Sequence, residues 1–252
     1  MKAFSLALLF VSFSCLAQQD TLKGKYKWGI GLQVNSLEEL PPIVNLTNFF
    51  QLSGDKKNTS FSLSIIGSHL LKNHSEIKIK VGITSYNYSM DYKTIQSGQL
   101  VNVFHGELKQ KTWHYSVGVV KSFLIDKLTF YGGSDIEIKL FGKYLEDDKI
   151  EGYQNDTIID IGFSNNIIDG GIGFGLGFNA GVNYRICNRL RLGLEFSSSF
   201  LYSKIGGNLI EHLTAYHSNN VLYYDETFIW PEKIEEFNLK KPQSSFYLKY
   251  SF

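Results

Sequence analysis

Long apolar runs are missing from this chain. After its first twenty residues, no stretch reaches the roughly 18 consecutive apolar residues that mark a membrane-spanning helix. The sequence therefore predicts no helical membrane span.

An excess of charge of either sign is also missing. Lysine and arginine number 25 against 24 aspartates and glutamates, and no long run of one sign occurs. A nucleic-acid-binding domain usually carries a clustered basic patch, so this balance argues against that class of partner.

Cysteine is scarce, because Cys15 and Cys187 are the only two in the sequence. Cys15 lies in a segment with the three parts of a secretory signal: a positive Lys2, an apolar stretch, and small residues before a cleavage point. We expect residues 1–17 to be a signal peptide cleaved after Ala17, with residues 18–252 forming one domain. The mature chain then keeps one thiol and no internal disulfide. In the alternative, Cys15 is lipidated, but Ser12 stands where lipoprotein signals usually carry leucine.

What the sequence does contain is a period of two. From Ile172 to Ile186, apolar side chains alternate with glycine, asparagine and arginine. Successive side chains of a strand point to opposite faces, so this is a strand with one apolar side, long enough to cross a membrane when tilted. Seven further segments show the same alternation: Tyr26–Asn35, Phe61–Ile65, Ile77–Thr84, Trp113–Val119, Leu128–Leu140, Leu190–Phe200 and Phe246–Phe252.

The connections between these strands alternate in length. Short ones fall near residues 72–75, 124–126 and 187–188, and long ones cover roughly 36–59, 91–111, 143–171 and 204–243. Short turns on one rim and long loops on the other are typical of outer-membrane barrels. The sequence thus predicts an all-β fold: an eight-stranded antiparallel up-and-down transmembrane β-barrel with long extracellular loops and both termini on the short-turn rim.

The polar face of the strands is expected to point into the barrel. Its charged residues are accompanied by glycines, whereas the apolar face carries Trp and Tyr near strand ends, as at membrane–water interfaces. An eight-stranded barrel has an interior that side chains just fill, so we expect a packed polar plug, with an ion path as the alternative. Its acids should pair with its bases. The predicted interior network is Lys78, Lys80, Asp135, Glu137, Lys139, Arg185, Arg191, Glu195 and Lys249.

The C-terminal segment, with Phe246, Leu248, Tyr250 and Phe252, resembles the terminal strand of bacterial outer-membrane barrels. With the strand number and loop asymmetry, the chain resembles the small OmpA/OmpX-like (porin family) class, in a form similar to proteins of Bacteroidota. The resemblance implies location in the outer membrane, contact with its lipid, and recognition of these four residues by the barrel-insertion machinery.

Candidate catalytic residues matter because some small outer-membrane barrels modify lipid A. His217 and Ser218 are similar to the His–Ser pair of lipid A deacylases, but there one residue separates the two. On a strand, adjacent residues point to opposite faces, so this geometry fails. The acid-rich segment 145–152 lacks the spacing of a calcium loop and is expected to be a solvated loop. We therefore expect no enzyme, no cofactor and no metal.

The long loops remain as the expected working surface. The sequence predicts a non-enzymatic surface barrel with a structural, adhesive or partner-binding role. A narrow pore for small solutes and a lipid A-modifying enzyme are the alternatives. The apolar first loop is expected to cover the barrel mouth. The fourth loop is expected to extend strands seven and eight above the membrane, where strand edges would suit binding by strand addition.

Overall fold

A computed structural model describes residues 27–37, 55–71, 74–96, 100–155 and 157–252. The predicted signal peptide and most of the first long loop lie outside these residues. No helix in the described part of the chain is long and apolar enough to cross a membrane.

All of the regular structure in the described residues is β-strand, in eleven strands. Their bounds are β1 Trp28–Asn35, β2 Asp55–Asn58, β3 Phe61–Leu70, β4 Ser75–Gln96, β5 Leu100–Ile125, β6 Leu128–Gln154, β7 Thr157–Ile168, β8 Gly171–Arg185, β9 Leu190–His217, β10 Leu222–Leu239 and β11 Gln243–Ser251.

Eight of these strands close into a ring. The antiparallel pairs run β1–β3–β4–β5–β6–β8–β9–β11 and return from β11 to β1. Backbone bonds between Trp28 and Phe252 seal the junction, at 3.2 and 2.8 Å. Closure leaves no free strand edge in this part of the molecule. The predicted eight-stranded antiparallel barrel is confirmed.

Tight turns join the strands at the end where β1 begins and β11 finishes. Asp126 takes a positive φ of 53° in the turn between β5 and β6, and His74 takes 59° before β4. The third turn, between β8 and β9, contains Cys187 and Asn188. Asp and His are among the non-glycine residues that enter the left-handed region most readily, which suits Asp126 and His74 to their turns.

At the other end, the prediction of loops was wrong for most of the length of the second, third and fourth of them. β4 and β5 remain paired up to Gln96 and Leu100, β7 pairs with the outer half of β6, and β10 pairs with β9 as far as Tyr216. The fourth long segment therefore extends the last two barrel strands, as predicted, with a break at residues 240–242 between β10 and β11. Together these extensions form an outer sheet that projects beyond the barrel.

Where the outer sheet begins, the apolar side chains switch from the outward face of the strands to the inward face. On β4, Ile79 faces outward and is 51% exposed, while Lys78 faces the interior. Beyond Ser85 the same outward face carries polar residues, and Tyr86 and Met90 are buried on the inner face. An apolar exterior thus gives way to a polar one, with an apolar core inside. That core, which we call the aromatic roof, contains Tyr86, Tyr88, Met90, Phe104, Leu108, Phe141, Tyr144, Ile168, Leu201 and Ile205.

Candidate functional site: the barrel interior and the outer sheet

Glu195 is the centre of the charged interior. Its side chain is 0% exposed and accepts hydrogen bonds from the ammonium groups of Lys78 and Lys80, the latter at 2.9 Å. The Tyr131 hydroxyl donates to the same carboxylate at 2.8 Å. Side chains of β4, β6 and β9 therefore meet at one buried carboxylate, and each partner lies more than 60 residues from Glu195 along the chain. Buried charges are tolerated when they are paired and hydrogen-bonded in this way.

A second layer lies nearer the short-turn rim. Lys249 pairs with Glu76, and the Tyr247 hydroxyl lies within hydrogen-bond distance of the Tyr131 hydroxyl, at 3.1 Å, and of the Asn183 side-chain oxygen. The two layers meet at Tyr131, whose hydroxyl donates to Glu195 and lies beside that of Tyr247. We call these residues together the plug.

The structure brings together only part of the predicted interior network. Lys78, Lys80, Glu195 and Lys249 belong to the plug, and Lys139 is buried one layer beyond it. Arg185 is exposed at the short-turn rim, where its cross-strand partner is Arg191, so it lies outside the buried network.

Asp135 and Glu137 do not show the expected hydrogen bonds to lysine. Asp135 accepts from Asn179 at 3.2 Å, and among the described residues its Oδ1 and the Oε2 of Glu137 have no hydrogen-bond partner. Both carboxylates lie over Gly177, where a Cβ would collide with Asp135. The glycine makes room for two acids in a crowded interior, which explains its place on the inward face of β8.

Sequence reasoning missed Glu76, Tyr131 and Tyr247 as members of the plug. Their positions were available from the alternation, because Glu76 shares the face of Lys78 and Tyr247 shares that of Lys249. For Tyr131 and Tyr247, the available signal was a large aromatic side chain on the charged face of a strand. It indicates an interior wide enough for ring packing, and the Lys78 ammonium lies 5.2 Å from the Tyr131 ring centre.

The acid-rich segment 145–152 is part of β6 and not a solvated loop. Glu146 is only 3% exposed on the inner face of the outer sheet and accepts a hydrogen bond from Tyr144 at 3.2 Å. Two residues on, burial and the nearby charges of Glu146 and Asp147 raise the pKa of Asp148 to about 7. The segment was read as a loop because its charges obscured the alternation.

The raised pKa of Asp148 predicts that the stability of the outer sheet depends on pH. Its folded pKa lies above the ordinary value of about 3.9, so the folded state binds the proton more tightly. The resulting stability is complete below about pH 4 and is lost as pH rises through about 7. We expect Asp148→Asn to slow proteolysis of the outer sheet roughly tenfold at pH 8, since half-buried charges are partly screened, and to have little effect at pH 4.

Glu107→Gln is the control for that experiment, because Glu107 is exposed on the neighbouring strand β5 and is not among the charges that raise the pKa of Asp148. Cleavage of both variants is followed in folded protein with a protease active across this pH range. Equal protection by the two variants at pH 8 would contradict the assignment to Asp148.

Two histidine–aspartate pairs lie on the outer sheet. His105 bonds Asp91 at 2.7 Å across β4 and β5, and His217 bonds Asp160 at 2.9 Å across β7 and β9. His217 also stacks on Tyr223, with ring centres 4.3 Å apart. All of these groups are exposed. In the described part of the chain, no group of three His, Cys, Asp or Glu side chains is arranged to hold a metal ion.

His217 lies far from the end of the apolar exterior. Lys204 is the first outward charge on β9, and His217 follows it by thirteen residues on the same strand. At about 3.3 Å per residue this is roughly 40 Å along the strand. A group that attacks a membrane lipid must lie near the lipid headgroups, so this position does not suit lipid chemistry.

The pairing defines a class: a closed eight-stranded antiparallel β-barrel with an apolar exterior and a filled interior. No family model matches the chain, and no curated protein matches it. Among solved structures, it is similar to Neisserial surface protein A, with 11% identity, 90% of this chain and 98% of the other covered, and a TM-score of 0.35. It is also similar to a major outer membrane protein from Thermus thermophilus, at 10% identity, the same coverage and a TM-score of 0.38.

Proposed function

We propose that this protein is an integral outer-membrane β-barrel that acts without catalysis and presents its outer sheet to binding partners. The observation that carries the proposal is the apolar exterior, which includes Ile79, Val117, Ile136 and Leu176 on four different strands, all about half exposed. Soluble monomers rarely expose contiguous apolar patches larger than a few hundred Å². A belt around a closed barrel, with every ring strand paired, is suited to lipid.

The filled interior favours a binding protein over a pore. The plug has a fully buried carboxylate at its centre, and the aromatic roof lies above it with Leu108, Tyr144 and Leu201 at 0% exposure. A solute would have to displace both layers. Small barrels with eight strands leave little lumen even without such layers.

The outer sheet offers the chemistry of a protein-binding surface. Both faces of the edge strand β10 carry exposed apolar side chains: Ile229 is 63% exposed on one face, and on the other Trp230 is 41% exposed and stacks on Phe228, with ring centres 5.3 Å apart. Exposed aromatic and aliphatic side chains on a rigid sheet supply most of the affinity at many interfaces.

Strand addition along the whole of β10 is disfavoured. β10 ends the sheet order among the described strands, but Pro231 stands in its middle and Lys233 follows. Proline removes a backbone donor, and lysine on an edge discourages pairing. The partner is therefore expected to contact side chains of the outer sheet.

The test has two readouts on folded protein. In planar bilayers we expect no steady conductance, and discrete openings from heat-modifiable, folded barrel would favour the pore instead. On cells, an Ile229→Ser/Trp230→Ser variant should lose most surface adhesion while Asn238→Ser, an exposed change on the same strand, keeps it. Adhesion retained by the double variant would count against this surface.

A further inference from the structure

A polar cavity of about 60 Å³ lies between the plug and the aromatic roof. Its floor includes Lys80 of the plug, and Tyr86 of the roof lines its upper side. It reaches the outside at the break between β10 and β11, where Lys241 is exposed beside the end of β1 at Ser36. Neither the plug nor the aromatic roof fills this space. The residues that line it indicate which kind of ligand it could hold.

Ammonium groups outnumber carboxylates around the cavity. Lys80, Lys139, Lys240 and Lys241 line it from three separate parts of the chain. Among the lining residues that the structure describes, Glu137 is the single carboxylate. Lys80 has Glu195 at 2.9 Å and Lys240 has Glu236 at 3.4 Å, both outside the lining. Positive charge in a confined polar space favours an anion.

Buried hydroxyl groups add hydrogen-bond donors. Ser64 and Ser199 line the cavity and are each about 4% exposed. Ser64 accepts a bond from the Asn35 amide at 3.0 Å, which leaves its own hydrogen to donate. No hydrogen bond to a described residue occupies the hydroxyl hydrogen of either serine. Lysine ammonium and serine hydroxyl groups are the donors with which proteins hold oxyanions.

The size of the cavity restricts the ligand. A water-sized group needs about 10–15 Å³ of such space, so about five non-hydrogen atoms fit. A tetrahedral oxyanion such as phosphate has five. Larger solutes would need the aromatic roof to move.

We propose that this cavity is a binding site for a phosphate-like oxyanion, supplied either as free phosphate or as the phosphomonoester headgroup of a lipid at the exposed Lys241 entrance. The four lining lysines provide charge, and Ser64 and Ser199 orient the oxygens. The site is independent of the partner-binding surface on the outer sheet, so either assignment can fail without the other.

The test is calorimetric titration of the folded barrel with inorganic phosphate in a phosphate-free chloride buffer. Saturable binding is expected, and Lys241→Gln and Lys139→Gln should each weaken it tenfold or more. Lys143→Gln is the matched control, because it removes an exposed lysine outside the cavity lining and should leave binding unchanged. The heat-dependent gel shift of each variant checks folding, and Lys241→Gln, at an exposed position, keeps the test valid if Lys139→Gln misfolds.

A second arm separates the two sources of phosphate. The barrel is placed in nanodiscs with and without phosphatidic acid, and the phosphorus resonance of that lipid is followed. If the phosphorus resonance broadens with the unmodified barrel and with Lys143→Gln but not with Lys241→Gln, the ligand is a lipid headgroup. If inorganic phosphate binds and the lipid resonance does not broaden, the ligand is a free anion. Absence of both signals, or equal loss in Lys241→Gln and Lys143→Gln, would overturn the site.

Discussion

Replacing Glu195 by leucine is expected to destabilise the barrel by about 3–5 kcal/mol, the usual cost of leaving buried charges without their partner. The substitution removes the acceptor of Lys78, Lys80 and Tyr131 at once and leaves two ammonium groups inside the wall. The size of the effect follows from burial, since Glu195 is fully enclosed. It is measured as the shift in the denaturant midpoint of the folded band in detergent.

Two further variants decide what the loss means. Lys78→Met/Lys80→Met/Glu195→Leu removes the charges together and should recover most of the stability, because apolar replacement of a whole buried ion group is often neutral. Glu107→Leu is the matched control: it removes an exposed acid that also bonds a lysine, Lys109, and should change the midpoint little. An unchanged midpoint for Glu195→Leu would mean that the plug does not stabilise the barrel.

The ring was predictable because one physical requirement acts along its whole length. Each ring strand needs an apolar outer side, so Ile172–Ile186 and its seven counterparts show the same alternation in the printed sequence. The tight turns were predictable for a local reason, because Asn and Asp side chains favour turns and Asp126 tolerates a positive φ. Neither inference needed any contact between distant residues.

The outer sheet was missed because its apolar side chains lie on the inward face, whereas those of the barrel strands lie on the outward face. On β4, Ile83 ends the outward apolar series and Tyr86 begins the inward one, so a reader who follows one face sees the pattern stop. Under the proposed membrane location, the switch marks where the exterior changes from lipid to water. The strands were ended where the outward apolar series stopped. A search for the residue at which apolar side chains move from the outward to the inward face would have extended β4, β5, β6 and β9 to their full lengths.

The choice of Glu195 over the other acids could not be made from the sequence. Asp135, Glu137 and Glu195 share the inward face, and each could pair with lysine by that criterion. The contact with Lys78 spans 117 residues and depends on the strand register around the closed ring. Register fixes which rows face one another across the interior, and the alternation alone does not give it, because a shift of two residues leaves every side chain on the same face.

Arginine substitutions on the outward face of β4 should have opposite outcomes on the two sides of the switch. Ile79→Arg places a charge near the middle of the apolar exterior and is expected to cost about 2–4 kcal/mol if that exterior meets lipid. Asn87→Arg lies on the same face of the same strand, eight residues further on, where the exposed surface is polar. It is expected to cost almost nothing.

The pair separates membrane contact from general intolerance of β4 to arginine. Both positions are exposed, so neither substitution fills the barrel or breaks a described side-chain bond. About 27 Å of strand lies between them at 3.4 Å per residue, or roughly 20 Å along the membrane normal at a tilt of about 40°, which exceeds half the height of an apolar band of about 25 Å. Stability is compared by refolding into lipid vesicles across a urea series. Equal stability of the two variants in lipid would contradict the membrane assignment, whereas a loss confined to Ile79→Arg fixes the outer boundary of the bilayer between residues 79 and 87.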